Sequence, residues 1–444
     1  MSTLAPDQPV PASPGRWWRD GSFDDSINGI FKGGGAKGLL YGGALLALRD
    51  RHVWFRAVAG ASAGSITAAL IASGLTPDQM VASIGEGLRR VQVSYLGNLI
   101  GRPRYGVKKV APWLENVLSG QVEALLGTKP QASVTFAKLF EATGIELYVI
   151  TVDIQDRQPR VFSAVLTPNV SVTDAVLASS SIPIAFSPGR LETRAADGQA
   201  ATHKLVDGGV WANYPAFVFR DPSFRSYHHL GPLPSTSTTL GFTLDTVPAG
   251  ARAEAVALKP ISQPTLNDRL NGFGVWIARN YFMTLIPVVV VLQTAYTIDR
   301  GGLLFLKDFA ESNQGWLPSG VVDVIAFLDG FVSHFTPATL SIYLTLLAAA
   351  VVLAVFGGSI LESGLPSMRT LMSVSTDVPY WVGADPTDHV IRLQVPDKLT
   401  TTSFHLPAEK IQEAIESGRR QTEAQAGAVI ALMAERRRHP DSRE

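Results

Sequence analysis

The chain has 444 residues, a formal net charge of zero, charged residues at only 17%, and no cysteine. That length allows two or three average domains, or one large α/β domain carrying an insertion. The absence of a basic stripe argues against a nucleic-acid surface. The absence of cysteine excludes a disulfide framework, a thiolate zinc site and a cysteine nucleophile, and is compatible with a cytoplasmic catalytic part.

Residues 1–25 are polar and Pro-rich, without the apolar core of a signal peptide, and are expected to form a flexible arm. Within it, Trp17 and Trp18 are expected to pack on the domain. Folded structure is expected from Ser26, where a short strand runs into Lys32-Gly33-Gly34-Gly35-Ala36-Lys37-Gly38 and then a helix with Gly42 and Gly43 on it. Strand, glycine loop and helix make an anion-binding geometry, because several N–H groups converge beside a positive helix end. Gly33, Gly35 and Gly38 also spell G-x-G-x-x-G, but the acidic residue that a dinucleotide site needs at the end of the next strand is missing. A P-loop fails as well, since Lys37 precedes Gly38 rather than Ser or Thr. An oxyanion loop suits the pattern best.

The next strand, near 54–59, ends in Gly60-Ala61-Ser62-Ala63-Gly64, and a small-residue helix follows. This is the strand–turn–helix context of a nucleophile elbow, in which Ser62 stands clear of the sheet. The flanking Gly60 and Gly64 answer the need for small residues where strand and helix backbones nearly touch. The N–H of Ala63 can donate to a developing oxyanion. A tight strand–helix turn without chemistry would use the same residues. Further on, Leu96 to Gly106 reads as an active-site loop, and an apolar strand delivers Asp207 at a Gly208-Gly209 turn, ahead of Trp211-Ala-Asn213-Tyr214-Pro215. By itself an Asp-Gly turn is common at surfaces.

The three motifs together resemble the patatin-like phospholipases. The resemblance extends to Val134–Phe140 with Glu146–Asp153, to Asp174–Pro183 with Phe186-Ser-Pro188, and to Thr402-Ser-Phe404 with the helix through Gly418. It covers roughly 26–246 and 385–435. It implies that Ser62 is the nucleophile and Asp207 its partner in a Ser–Asp dyad. It further implies that Gly33, Gly34 and Gly35 form the oxyanion hole, with Gly38, Gly60, Gly64, Gly208 and Gly209 supporting the motifs. A serine hydroxyl does need an adjacent base to attack an acyl carbon. Lys37 reads as a structural or anion-facing charge. The competing hydrolase arrangement is a Ser-Asp-His triad of α/β-hydrolase type, for which His389 and His405 lie in the required order after Asp207.

The pattern predicts strands near 27–32, 54–59, 146–153, 159–163, 203–207 and 239–245. Helices are expected near 38–51, 64–73, 77–90, 110–119, 135–141, 172–179, 367–376 and 407–434. Such alternation predicts a mostly parallel α/β sheet flanked by helices. The catalytic core is expected at 26–250, completed by 367–436, with a tail at 437–444. Between these parts, 251–366 departs from the family pattern. Asn280–Ile298 and Pro337–Leu361 carry no charge, and the bilayer core needs about 20 apolar residues per helix. The expectation is a two-helix transmembrane hairpin. The alternatives are a lid or interfacial pair, or a single span. An even number of spans returns the chain to its own side, and Arg269, Arg279 and Arg369 place the catalytic side in the cytoplasm.

The expected protein is therefore a membrane-associated serine acyl hydrolase of (phospho)lipid esters, working without cofactor or metal, with lipid and bilayer as partners and no nucleic acid. A lipid-binding membrane scaffold that keeps the fold and a dinucleotide-binding membrane protein are the readings from other classes.

Overall fold

A computed structural model describes residues 15–91, 107–245, 312 and 389–438, apart from 157, 184–185, 187, 195–199, 232, 234–237, 397–398 and 402. The segments Asn280–Ile298 and Pro337–Leu361, the loop 96–106 and the helix expected at 367–376 lie outside the described residues, as do 439–444 of the tail. The chain divides into two compact units, Met1–Thr265 with Leu361–Glu444, and Leu266–Ile360. All elements named below belong to the first.

The described part is one mixed sheet with helices against it. Its strands are β1 (Asp24–Phe31), β2 (Val53–Ala61), β3 (Glu146–Asp153), β4 (Gln158–Phe162), β5 (Gly189–Arg194), β6 (Ala200–Asp207), β7 (Thr238–Asp245) and β8 (His389–Gln394). The order is β5-β6-β3-β2-β1-β7-β8, with β4 also paired to β3. Strands β3, β2, β1, β7 and β8 run parallel, while β4, β5 and β6 make an antiparallel flank. The sheet is thus less parallel than the strand–helix alternation predicted. The reason is local: β3–β4 and β5–β6 are joined by short connections, which permit only antiparallel pairing. Central β2 is buried along nearly its whole length, as a parallel strand covered on both faces must be.

Helices α1 (Leu39–Arg49), α2 (Ala63–Ala72), α3 (Pro77–Arg89), α4 (Ala111–Leu126), α5 (Phe136–Thr143) and α6 (Val172–Ser179) come before β5. The short α7 (Gly209–Ala212), α8 (Phe217–Arg220) and α9 (Pro222–Tyr227) follow β6, and α10 (Ala408–Arg438) follows β8. Local chemistry sets several of the starts. Thr76 and Gln79 form a capping box on α3 with Pro77 at its first position, Thr135 caps α5, and Ser171 caps α6. Helix α10 crosses α1 at backbone distance. A Cβ on Gly43 would lie 1.8 Å from the Ile415 carbonyl oxygen, and one on Gly418 would lie 2.1 Å from that of Leu40. The chain beyond the insertion thereby supplies both the edge strand β8 and a helix packed on α1.

Two strands were not legible in the sequence. β5 is a polar edge strand, and edges favour charged residues over an apolar run. β8 alternates with period two, Ile391 and Leu393 inward and Arg392 and Gln394 outward, but is only six residues long. Within the residues expected to form the arm, both tryptophans pack on the domain. Trp17 donates its indole N–H to the Gly74 carbonyl at 3.0 Å and meets the Trp54 ring edge-on at 4.6 Å, while Trp18 is buried.

Candidate active site

Ser62 sits between β2 and α2 with φ 54° and ψ −132°. A non-glycine residue there is strained by about 1–3 kcal/mol and persists only where its surroundings over-determine it. The two glycines around it show why bulk is excluded. A Cβ on Gly60 would lie 2.3 Å from the Gly64 carbonyl oxygen, and one on Gly64 would lie 2.1 Å from that of Phe31. The turn therefore requires both. Ala63 begins α2, so its N–H is one of the helix-end donors without an intrahelical acceptor.

Sheet register brings Asp207 to the same level. Ala61 pairs with Ile150 of β3, and Asp207 pairs with Thr151 from the other side. Ser62 and Asp207 thus flank β3 two strand spacings apart, roughly 10 Å between backbones. Because β6 is antiparallel to β3, its C-terminal residue comes back down to the elbow instead of passing it. The Asp207 carboxyl is fully buried. Its Oδ1 accepts the Gly209 N–H at 2.7 Å, and its Oδ2 has no hydrogen-bond partner of normal geometry. Burial pushes the carboxyl up to about 7, and the nearby Ser62 hydroxyl and the Gly209 N–H hold it down only in part. Gly208 presses on the Ile150 carbonyl, where a Cβ would lie 2.1 Å from the oxygen. A carboxyl poised at neutral pH beside a serine hydroxyl can act as a general base there.

The glycine loop closes the third side. A Cβ on Gly33 would lie 2.8 Å from the Ser62 Cβ, so the loop backbone lies directly against the serine. The Gly33 N–H donates to the Asn213 carbonyl at 3.0 Å, which removes it from the donors open to a ligand. The N–H groups of Gly34 and Gly35 have no acceptor among the described residues, and Gly35 lines a cavity with Ser62 and Ala63. Gly38 packs against the Ala63 Cβ, and Lys37 is buried in the same turn. Gly35 has φ +56°, and a Cβ there would lie 2.1 Å from the Thr401 carbonyl oxygen, which already accepts the Ala36 N–H at 2.9 Å. Gly35→Val is therefore expected to displace the loop and lower kcat/KM by roughly 10²–10³. Turnover assays paired with circular dichroism check this, and unchanged turnover would remove the loop from the chemistry.

A cavity opens at Ser62. Apart from Ser62, Thr67, Ser180 and the indole N–H of Trp113, its walls are hydrocarbon and backbone, with Leu39, Ile66, Leu88, Phe186 and Phe404 among them. No charged side chain of the described residues lines it. It suits an alkyl chain, whose burial is favourable by about 0.8 kcal/mol per methylene.

The two histidines weighed for a triad lie elsewhere. His389 begins β8, at the level of Leu240, Gly29 and Val58, and three strands away from β2, roughly 14 Å sideways. His405 is exposed. No described histidine is hydrogen-bonded to Ser62 or Asp207. His203, which meets the buried Asp153 at 2.7 Å, belongs to a network with Asp156 and Arg160.

Two features of the site lie in stretches that the sequence pattern marked without disclosing their role. Asn213 holds the glycine loop by both its backbone carbonyl and its side-chain amide, which donates to the Gly33 carbonyl at 3.3 Å. Ser179 and Ser180, at the end of α6, reach the backbone of Ser62. Both roles depend on contacts between residues far apart in the chain.

The family model described as patatin-like phospholipase matches residues 29–220. Uncharacterized protein YqhO of Bacillus subtilis is 32% identical over 206 residues, 44% of this chain and 66% of that protein. The probable lipid hydrolase 463L of Invertebrate iridescent virus 6 is 26% identical over 188 residues, 42% of this chain and 60% of that protein. Each match thus spans less than two thirds of the relative's own length. Among solved structures, VipD from Legionella pneumophila aligns with 92% of this chain and 68% of its own at 14% identity and a TM-score of 0.36.

Proposed function

Through residues 29–220 the chain belongs to the patatin-like phospholipase family, and from that premise we propose that it is a serine acyl hydrolase cleaving acyl ester bonds of lipids through Ser62 and Asp207. The observation that carries the reading is the strained Ser62 lining an apolar cavity, beside a buried carboxyl poised near neutrality. As a carboxylate, Asp207 accepts the Ser62 proton while Oγ attacks the acyl carbon. The N–H groups of Gly34, Gly35 and Ala63 receive the developing oxyanion. Asp207 then protonates the leaving alcohol, and the same base activates the water that releases the fatty acid. The acyl chain lies in the cavity, which excludes water from the reacting carbon. No step calls on a metal. Incubating the purified protein with mixed glycerolipids and identifying the products tests the proposal. Fatty acid release that is lost in Ser62→Ala is the expected result, and no release from any lipid class would overturn it.

The uncharged segments of the insertion supply the second part of the proposal, membrane association with the catalytic part on the cytoplasmic side. Among the described residues no helix is long and apolar enough to cross a membrane, and Asn280–Ile298 and Pro337–Leu361 lie outside those residues. Backbone polar groups inside hydrocarbon must be satisfied within helices, and a spanning helix with Pro287 in it would need a neighbouring helix to cover the kink. Two paired spans meet both conditions. The full-length protein is expected to stay with membranes through high-salt and alkaline washes. Release by the alkaline wash would favour the lid or interfacial arrangement and leave the catalytic reading untouched.

A further inference from the structure

A nucleophile held at φ 54° needs restraints on both sides of its peptide unit. The Ser62 N–H donates to the Ser179 Oγ at 3.0 Å. Its carbonyl accepts from the Ser65 N–H at 2.9 Å, from the Ser65 hydroxyl at 2.6 Å and from the Ser180 hydroxyl at 3.2 Å. Ser65 is the local contribution, one helical turn on. Ser179 and Ser180 come from a different element, more than a hundred residues away in sequence. The same short segment also holds the other half of the dyad. The Asp207 N–H donates to the Ser181 carbonyl at 3.0 Å, and the Gly208 N–H to the Ser179 carbonyl at 3.3 Å.

The direction of the Ser179 hydroxyl is fixed as well. It donates its only proton to the Ile150 carbonyl at 2.6 Å, which leaves a lone pair for the Ser62 N–H. Ile150 is the β3 partner of Ala61, the residue just before the nucleophile. Sheet, clamp and nucleophile therefore form a closed ring of contacts, all of it buried.

We infer that the Ser179–Ser181 segment is the positioning clamp of the dyad, with the Ser179 hydroxyl as the group that fixes the Ser62 backbone against Asp207. The inference rests on the hydrolase reading above. Ser179 touches neither substrate nor reacting atoms, so its effect must pass through the placement of Ser62. Without it, the buried Ser62 N–H and Ile150 carbonyl both lose a partner, and the elbow relaxes toward a less strained φ. A displacement of about 1 Å in a catalytic group can cost on the order of 10² in rate.

The test compares Ser179→Ala, Ser179→Cys and Ser73→Ala in the full-length protein. Ser73 is an equally buried serine whose hydroxyl bonds only the Leu70 carbonyl at the far end of α2, so its loss matches the chemical change without touching the elbow. Readouts are kcat and KM on a short soluble nitrophenyl ester, the rate of Ser62 labelling by a fluorophosphonate, and the pH midpoint of kcat/KM. For Ser179→Ala, kcat and labelling should fall together by roughly 10–100-fold with KM within about twofold. The pH midpoint should move upward, since a displaced Ser62 no longer holds the Asp207 carboxyl down. Ser179→Cys keeps the volume and a weak acceptor, so it should fold and lie between Ser179→Ala and the parent even where the alanine variant does not fold. Ser73→Ala should keep the parental kcat and midpoint. A Ser179→Ala that labels and turns over like Ser73→Ala, or a Ser179→Cys at the parental rate, overturns the clamp. A parent protein that neither labels nor hydrolyses overturns the hydrolase reading instead.

Discussion

Ser62→Ala is expected to lower ester hydrolysis by roughly 10⁴–10⁶, the range seen when a serine nucleophile is removed and only binding and oxyanion donors remain. The fold should survive. The backbone contacts that hold the elbow, from Ser179, Ser180 and Ser65, do not involve the Ser62 hydroxyl. Alanine is no better suited to φ 54° than serine, so the strain stays in place. Glycine is suited to it. Ser62→Gly should therefore be as inactive as Ser62→Ala but melt at a higher temperature, because it releases the strain of about 1–3 kcal/mol stored at the nucleophile. A fluorophosphonate should label the parent at Ser62 and neither variant. Labelling that survives in Ser62→Ala would remove Ser62 from the chemistry.

The elbow was readable because its constraints are short-range. Gly60, Ser62 and Gly64 lie within five residues, and the steric reasons for both glycines act between those neighbours and the strand beside them. Strands β1, β2, β3 and β7 were likewise visible as apolar runs, since a strand buried on both faces leaves no other composition open. The direction of β6 was not visible. An apolar strand ending in Asp-Gly-Gly reads the same whether it runs with β3 or against it, and the difference lies in the pairing of Thr151 with Asp207. The glycine loop was partly readable. Three adjacent glycines offer donors, but the bond from the Gly33 N–H to the Asn213 carbonyl joins residues 180 positions apart, and only the fold discloses that it is taken. His389 and His405 show the converse limit. Chain order suited a triad, whereas register places one three strands away and leaves the other on the surface.

Asp207→Asn should separate activity from stability in opposite directions. Asparagine keeps the shape and an oxygen to accept the Gly209 N–H, but it cannot take the Ser62 proton. The rate should fall by roughly 10²–10⁴, as for loss of a general base. The parent's kcat/KM should rise with pH toward a plateau above about 7, because only the carboxylate is the base and its folded value is about 7. The residual activity of the variant should lack that limb. Stability runs the other way. The folded value of Asp207 lies above its unfolded value of 3.8, so the fold favours the protonated form. That contribution is fully present below about pH 4 and is lost as pH rises through about 7. Above that pH, keeping the buried carboxylate costs on the order of 4 kcal/mol. The asparagine side chain carries no such charge, so the Asp207→Asn protein should unfold at a higher temperature than the parent at about pH 8, and the gap should close toward about pH 4. Thermal melts across that range, alongside pH–rate profiles, measure both arms. A variant no more stable than the parent at the alkaline end would mean that Asp207 titrates in the ordinary carboxylate range. The carboxyl would then be ionised throughout the physiological window, it would be a weaker base than burial makes it, and the limb of kcat/KM near pH 7 should be missing from the parent as well.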